Sequence, residues 1–474
     1  MFSRNLKILF IVLSIFSMDA FADLNGAARA LSARGSSAKE YRALVLELVD
    51  ANFYYSAIPY MKEYMAKSRS RLDARLEKAF DKMLTVTGTK QFEVLPIRYL
   101  QKSSSDNIKY ILAKKLLRSD KTTKTAIKLA EDINPNHPVY PYATHLLGAA
   151  YANLGAKNNA LKNYEDCIRT SRSRQSNDIT NVQKVQLRLN EEYCVLGRAR
   201  VKFADRDYKD ANLIYLDIQK SSPIWPEILI EEAWNSYYLK NYNRTLGKLV
   251  TYKAPVLDYI FNPEIEVLNA LTYLKMCLYN DAKKIADDFY SEYLKPTSNL
   301  RLILRRKKRD YGYFYRLMAD FERVGDRGGN KLMNTLLKSI SREGAYKEIK
   351  ESYVQASEEL AKIKKVGNSR LRRALLANLS EVIKTQRDVL GAFVKGRMVG
   401  KYADLYKAFE GMSYIKLEVL QQRKQRLYRF DGKKRSRGDV KYIQRNEKQY
   451  FWDFNGEFWA DELGDYVFAL KSEC

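Results

Sequence analysis

The chain has 474 residues, and its 83 Lys and Arg against 56 Asp and Glu give a formal net charge of +27 at pH 7. Tyr is abundant (35) while Pro (10) and Gly (21) are scarce, which favours a helical protein. With only two His, and with no GxGxxG, phosphate-loop or HExxH motif, the sequence offers none of the usual catalytic or metal-binding arrangements. We therefore predict no enzymatic activity, no cofactor and no metal site.

Residues 1–22 have the pattern of a secretory signal peptide. Arg4 and Lys7 precede an apolar run, Ile8–Phe16, and Ala20-Phe21-Ala22 forms a small-x-small cleavage site. The run is shorter than the ~20 residues that a membrane-spanning helix needs. We expect cleavage near Ala22 and an exported, soluble, periplasmic protein. The positive charge would then face phospholipid headgroups, lipopolysaccharide or acidic envelope proteins, and we expect no nucleic-acid partner.

Residues 23–106 are predicted to form an N-terminal helical capping region. Apolar residues recur at helical spacing from Leu44 through Tyr60. Repeat arrays need terminal units with a polar outer face to cover the ends of their core. One or two degenerate repeats here would supply such a cap.

Residues 107–295 carry a helix–turn–helix pattern with a period of about 34 residues, and its copies start near 107, 141, 192, 226 and 263. Small residues recur at the eighth and twentieth positions, as Gly148 and Ala160 in one copy and Ala270 and Ala282 in another. The interval of 51 between two starts equals one period plus a 17-residue insert, approximately Ser173–Leu189. The alternative is an irregular all-α protein with accidental phasing.

This period with these small residues resembles the tetratricopeptide repeat (TPR). The resemblance implies an all-α fold, a TPR-like α-solenoid, with positions two, five, nine and twelve of each first helix on its concave side. Carried onto this sequence, those positions give a candidate partner-binding groove formed by Tyr142, His145, Tyr193, Arg200, Phe203, Trp234 and Tyr237. Trp234 and Tyr237 are the leading candidates, because aromatic residues are enriched at interface hot spots. Packing between helices is the alternative for this pair.

The four cysteines are Cys167, Cys194, Cys277 and Cys474. An even number in an oxidising compartment indicates disulfides, for which three connectivities are open. Cys167 and Cys194 fall on helices expected to be neighbours, so they can pair across the insert, which would leave Cys277 for Cys474. The alternative is that Cys167 and Cys277 are small buried apolar residues.

Residues 296–430 are predicted to be a basic helical extension. Arg301–Arg316 contains seven basic residues and one acid, and its core is the basic patch Arg305, Arg306, Lys307, Lys308 and Arg309. A heptad stripe over Tyr346–Ile363, a Gly367-Asn368 turn and a second stripe over Leu371–Phe393 predict a helical hairpin. A third helix is expected from Tyr402 to about Tyr428. The sequence leaves open whether the hairpin closes within one chain or pairs between chains.

Residues 431–474 are predicted to form a basic loop and an aromatic C-terminal cap. The loop adds Lys433, Lys434, Arg435 and Arg437 to the basic patch, whose alternative role is a solvated surface. The cap holds Trp452, Phe454, Phe458, Trp459 and Tyr466. Large aromatic side chains are normally buried or bound, so we expect this block to pack on the body of the protein, with a partner-bound surface as the alternative.

Two segments, Pro263–Ala282 and Trp452–Tyr466 with the following Cys474, resemble exported TPR proteins of predatory and gliding bacteria, some of which belong to an envelope-spanning gliding motility complex. The resemblance implies a non-catalytic periplasmic scaffold or adaptor that binds other envelope proteins. The alternative function is a periplasmic carrier or chaperone that binds an anionic envelope polymer, such as lipopolysaccharide, or a membrane surface through its basic face. The oligomeric state stays open.

Overall fold

The computed structural model describes residues 24–32, 37–93, 95–177, 179, 181–325, 330–427, 443, 445, 447, 449–452 and 454–474. The described residues form an all-α structure without strands, which confirms the predicted fold class at that level. The predicted signal peptide, residues 1–22, lies outside them. None of the helices in these ranges is long and apolar enough to cross a membrane.

The helices of the first half of the described chain are α1 (Asn25–Ser32), α2 (Ala38–Asp50), α3 (Tyr54–Lys67), α4 (Ala74–Thr87), α5 (Lys90–Glu93), α6 (Ile97–Leu100), α7 (Asp106–Leu116), α8 (Thr123–Glu131), α9 (Tyr140–Asn153), α10 (Lys157–Arg174) and α11 (Asn181–Ala204). Those of the second half are α12 (Tyr208–Leu216), α13 (Trp225–Tyr238), α14 (Tyr242–Val250), α15 (Glu264–Lys275), α16 (Tyr279–Arg306), α17 (Tyr311–Val324), α18 (Lys331–Arg342), α19 (Gly344–Ile363) and α20 (Ser369–Leu427).

The described chain divides into two compact units. The first comprises the residues up to Gly88 and Glu358–Val382. Its core is the packed set α1 to α4, to which the end of α19 adds Glu359. This carboxylate accepts hydrogen bonds from the backbone N–H of Tyr55 (3.0 Å) and Ser56 (2.7 Å) and from the Ser56 hydroxyl (2.5 Å). Phe53, the residue before α3, has no side-chain acceptor, so Glu359 caps that helix from a distant part of the chain.

The second unit, Thr89–Ser357 with Ile383–Cys474, contains helices α7 to α16, each packed against the next in chain order. Small residues allow neighbouring helices of this unit to approach each other closely. The Tyr164 ring of α10 lies against Gly148 of α9 and Gly197 of α11, and a Cβ on Gly148 would be 2.6 Å from that ring. A glycine on each flanking helix therefore makes room for one tyrosine between them.

Five helix pairs are joined by the same turn. Asn52, Gly155, Arg206, Lys240 and Cys277 all have φ between 58° and 72°. The N–H of each following residue donates to the carbonyl five residues earlier, at 2.8–3.0 Å, which is the Schellman motif. Four of these residues occupy position fifteen of the copies that start at 141, 192, 226 and 263. The repeat copies therefore share a backbone geometry as well as a hydrophobic pattern.

The insert between two copies is helical at both of its ends. It extends α10 to Arg174 and begins α11 at Asn181, so it lengthens both helices of one junction. Directly after the insert, the buried Asn190 of α11 donates to the Pro141 carbonyl and the Ser171 hydroxyl, both at 3.0 Å. The structure contains the disulfides Cys167–Cys194, which joins α10 to α11, and Cys277–Cys474.

Helices α19 and α20 form a hairpin within one chain. Gln386 donates to Ser352 at 3.0 Å, and the rings of Tyr346 and Phe393 lie 6.4 Å apart. The separate third helix predicted from Tyr402 is wrong, because α20 runs without a break from Ser369 to Leu427.

The apolar face of α20 explains its continuity. Val394, Met398 and Leu405 are fully buried in one core with α16 to α18. That burial outweighs the cost of helical Gly396 and Gly400, about 1 kcal/mol each. The predicted domain boundary between residues 295 and 296 also falls inside a helix, because α16 continues through Pro296.

Candidate partner-binding surface

The predicted groove residues fall into two groups, and the first lies around His145. Its Nδ1 is 2.9 Å from Asn190 Oδ1, its ring stacks on Tyr193 at 6.3 Å, and burial lowers its pKa. Arg200 holds Glu231 of α13 with Nη2 at 2.6 Å and Nε at 3.1 Å. These side chains join one helix pair to the next, so many of their hydrogen-bonding groups already have partners within the chain.

Part of the predicted concave side faces other helices of the same unit. Burial raises the pKa of Tyr193 to about 12, and the charges acting on its ring include Glu343 and Arg397. Burial also raises the pKa of Glu227; the Glu343 carboxylate raises it further, whereas Lys401 and Arg397 lower it. The chain's own α20 therefore lies near this part of the groove. Burial raises the pKa of Tyr142 to about 12 as well.

The second group is an aromatic cluster of Phe203, Tyr208, Trp234, Tyr237, Tyr238 and Tyr242. Trp234 contacts Tyr237 edge-on at 5.6 Å and stacks on Tyr238 at 6.0 Å. Tyr238 in turn stacks on Tyr208 at 5.1 Å. The Trp234 Nε1–H donates to Glu264 at 2.8 Å. Tyr238 is 48% exposed, so the cluster reaches the surface.

Tyr208, Tyr238 and Tyr242 belong to this cluster, although the repeat positions do not predict them. They lie at the turns between the helices of each pair, outside the groove positions of the repeat. The recurrence of tyrosine beside these turns is the sequence feature from which these three residues could have been predicted.

A strap, residues 461–474, lies across α13, α14 and α15. Asn243 brackets Leu470: its Nδ2 donates to the Leu470 carbonyl at 3.0 Å, and its Oδ1 accepts from the Leu470 N–H at 3.1 Å. The Gly464 N–H donates to Thr251 Oγ1 at 3.0 Å. Gly247 is needed because any Cβ there would collide with the Tyr466 carbonyl. Cys474 closes the strap on Cys277.

The aromatic block before and within the strap behaves in two ways. Phe458 and Tyr466 pack on the buried Trp225 and Leu229, as expected of a cap. The exposed aromatic surface, defined here as Tyr450, Trp452, Phe454 and Trp459, differs from that expectation. Its side chains are 81%, 70%, 52% and 58% exposed, respectively. Large aromatic groups left in water next to an anchored segment are typical of a binding surface.

The predicted basic patch lies where α16 ends and α17 begins. Arg305, Arg306, Lys308 and Arg309 are exposed and, in the described part of the chain, make no ion pair. Lys307 instead pairs with Asp310 (3.4 Å) and lies over the Tyr313 ring. The other predicted members, Lys433, Lys434, Arg435 and Arg437, lie outside the described residues.

The described residues contain no group of three or more His, Cys, Asp or Glu arranged to hold a metal ion. No protein-family model matches the sequence, and no curated protein matches it either.

Proposed function

We propose that this chain is a non-catalytic periplasmic scaffold or adaptor, built from tetratricopeptide-type repeats, that binds other proteins of the cell envelope. The observation that carries this proposal is the exposed aromatic surface. Four large aromatic side chains remain at least half exposed next to a segment held by a disulfide and by hydrogen bonds between its backbone and the Asn243 side chain. Such a surface offers a large contact area at a low entropy cost, as interface hot spots require.

Three further observations support the parts of this proposal. The shared turn of the helix pairs supports the repeat assignment. The two disulfides are compatible with an oxidising compartment, as the signal-peptide pattern requires. The resemblance of Pro263–Ala282 and Trp452–Tyr466 to exported repeat proteins makes a complex of the gliding-motility type the leading candidate assembly.

The test is a crosslinked pull-down of the tagged protein from its own envelope fraction, in low and in high salt. One variant carries Trp452→Ala with Trp459→Ala, and a second carries Trp234→Ala with Tyr237→Ala in the aromatic cluster. The matched control removes two tyrosines of α20 that are 65% and 66% exposed, Tyr406 and Tyr414.

A scaffold retains a recurring set of envelope proteins in high salt and loses members of that set in the first variant, but not in the control. Losses in the second variant would assign further members to the aromatic cluster. Recovery of the same proteins with all variants, or of lipid and lipopolysaccharide alone, would contradict the proposal.

A second candidate function is supported by the four unpaired cations at the end of α16: a carrier or chaperone for an anionic envelope polymer or membrane surface. Each basic residue near an anionic surface contributes ~1 kcal/mol to binding.

Arg305→Glu with Arg309→Glu should therefore weaken binding to anionic vesicles by roughly 30-fold or more in low salt. The control reverses two exposed lysines elsewhere in this unit, Lys347 and Lys407, which form no ion pair with any described residue. Equal loss in both variants would indicate a dependence on net charge only and would contradict a dedicated site.

A further inference from the structure

A cavity of about 380 Å³ lies between α14, α15, α16 and α18, and Phe468 of the strap lines part of it. Its wall combines aliphatic side chains such as Leu249 and Leu257, aromatic rings and a small number of charged groups. Ligand sites in proteins are typically 300–1,000 Å³, largely apolar and supplied with a few polar groups. This cavity has that volume, and its lining is mixed, with polar and apolar surface in similar amounts.

The carboxylate of Glu266 is the unusual group in this wall. Two other lining carboxylates are paired: Glu292 with Lys331 at 2.8 Å and Asp258 with Lys338 at 2.5 Å. Among the described residues Glu266 has no cation within ion-pair distance, although Lys253 lies within electrostatic range. The Glu266 carboxyl therefore lines the cavity without an ion-pair partner among the described residues, and the Lys253 side chain lines the same cavity.

The surroundings of Glu266 favour a cation. Burial raises its pKa, Lys253 and Asn269 lower it, and the nearby Glu292 and Asp288 raise it. Burial also raises the pKa of the Tyr293 hydroxyl, with added contributions from Glu292 and Glu266, so these carboxylates lie close to that ring. A cation between them would relieve the repulsion between like charges and would interact with the ring face.

We propose that this cavity binds the alkylammonium group of a primary amine, either a free amine or the side chain of a lysine in another protein. The ammonium group pairs with Glu266 beside Tyr293, and the alkyl chain contacts Leu249 and Leu257. The aliphatic wall gives a primary alkylamine an advantage over a fully hydrated cation of the same charge. This site is independent of the exposed aromatic surface and of the scaffold function proposed above.

The test is isothermal titration calorimetry of the full chain with three probes: n-butylammonium, Nα-acetyl-lysine-N-methylamide and, as the anionic counterpart, butyrate. Glu266→Gln removes the charge and keeps the shape. Glu410→Gln is the matched control, because this exposed carboxyl lies on α20. Thr335→Phe fills the cavity from α18 without a change in charge, so it tests the site even if Glu266→Gln fails to fold.

We expect saturable binding of both ammonium probes and none of butyrate. Glu266→Gln should weaken ammonium binding by about 10-fold to 100-fold, the range for a charge-assisted hydrogen bond, and Thr335→Phe should abolish it. Glu410→Gln should leave it unchanged. Tighter binding of the lysine derivative identifies a partner's lysine as the source of the group, and tighter binding of n-butylammonium identifies a free amine. Absence of saturable binding, insensitivity to both cavity variants, or a preference for butyrate would overturn the proposal.

Discussion

The ion pair between Glu232 of α13 and Lys248 of α14 is the interaction whose loss has the most predictable cost. The two side chains are only 5% and 7% exposed, so both charges have been taken out of water. Lys248→Met removes the positive charge and keeps most of the apolar stem. It leaves the Glu232 carboxylate buried without its partner, which is the costly half of the change.

We expect Lys248→Met to lower the free energy of unfolding by about 3–5 kcal/mol, the range for breaking a buried pair from one side. A large part of that loss should be recovered in the double variant Glu232→Leu with Lys248→Met, because well-packed apolar residues can replace a buried pair with little change in stability. The measurement is urea-induced unfolding followed by far-UV circular dichroism, in a double-mutant cycle.

The matched control is the exposed pair Lys284 and Asp288 on α16, whose side chains are 74% and 64% exposed. Lys284→Met should cost less than about 0.5 kcal/mol, because water screens surface pairs. If Lys248→Met cost no more than this control, or if the double variant were no more stable than the single one, the reasoning from burial would be refuted.

Three further predictions concern the turns, the long-range cap and the strap. Lys240 and Gly155 both have positive φ, a conformation that favours glycine. Lys240→Gly should therefore raise the free energy of unfolding by about 1 kcal/mol, and Gly155→Ala should lower it by a similar amount. Thermal unfolding of the two variants would show shifts of the melting temperature in opposite directions. Glu359→Ala should cost about 2–3 kcal/mol by leaving buried donors of α3 unpaired.

Because burial raises the pKa of Glu359 above 4.5, the folded state binds its proton more tightly, so stability falls as the pH rises through the interval above 4.5. Glu359→Gln should remove that part of the pH dependence, and an unchanged urea midpoint profile between pH 4 and 7 would contradict this account. Gly247→Val should displace the strap, and faster hydrogen exchange confined to residues 461–474 would show it.

The helices and their repeat were accessible from the sequence because both depend on local spacing. Small residues at fixed positions, such as Gly148, indicated where helices approach, and the structure fills that space with Tyr164. The pairing of Cys167 with Cys194 could be predicted from the sequence because the two residues lie on helices that are adjacent in the chain. The Schellman turns were harder to predict from the sequence, since Gly155 is the only glycine among the five left-handed turn residues. Arg206 and Lys240 adopt the same left-handed conformation because the surrounding helices impose it.

The candidate surfaces were harder to derive. Position in a repeat identifies the side of the helix on which a residue such as Tyr193 lies. It does not identify what that side faces, and in this structure it faces other helices of the same unit. Exposure is likewise set by the whole molecule: the sequence placed Trp452 and Phe458 in one aromatic block, whereas the structure exposes the first and packs the second.

The sequence by itself indicated an all-α fold, a recurring helix–turn–helix pattern and the concentration of positive charge, because these follow from side-chain size, spacing and composition. The tertiary structure alone decided that α20 is a single helix, that Glu359 caps α3, and that Asn243 holds Leu470 from 227 residues away. Contacts of that kind depend on which surfaces meet after folding, and no local pattern in the chain encodes the distance between two segments that are remote in sequence.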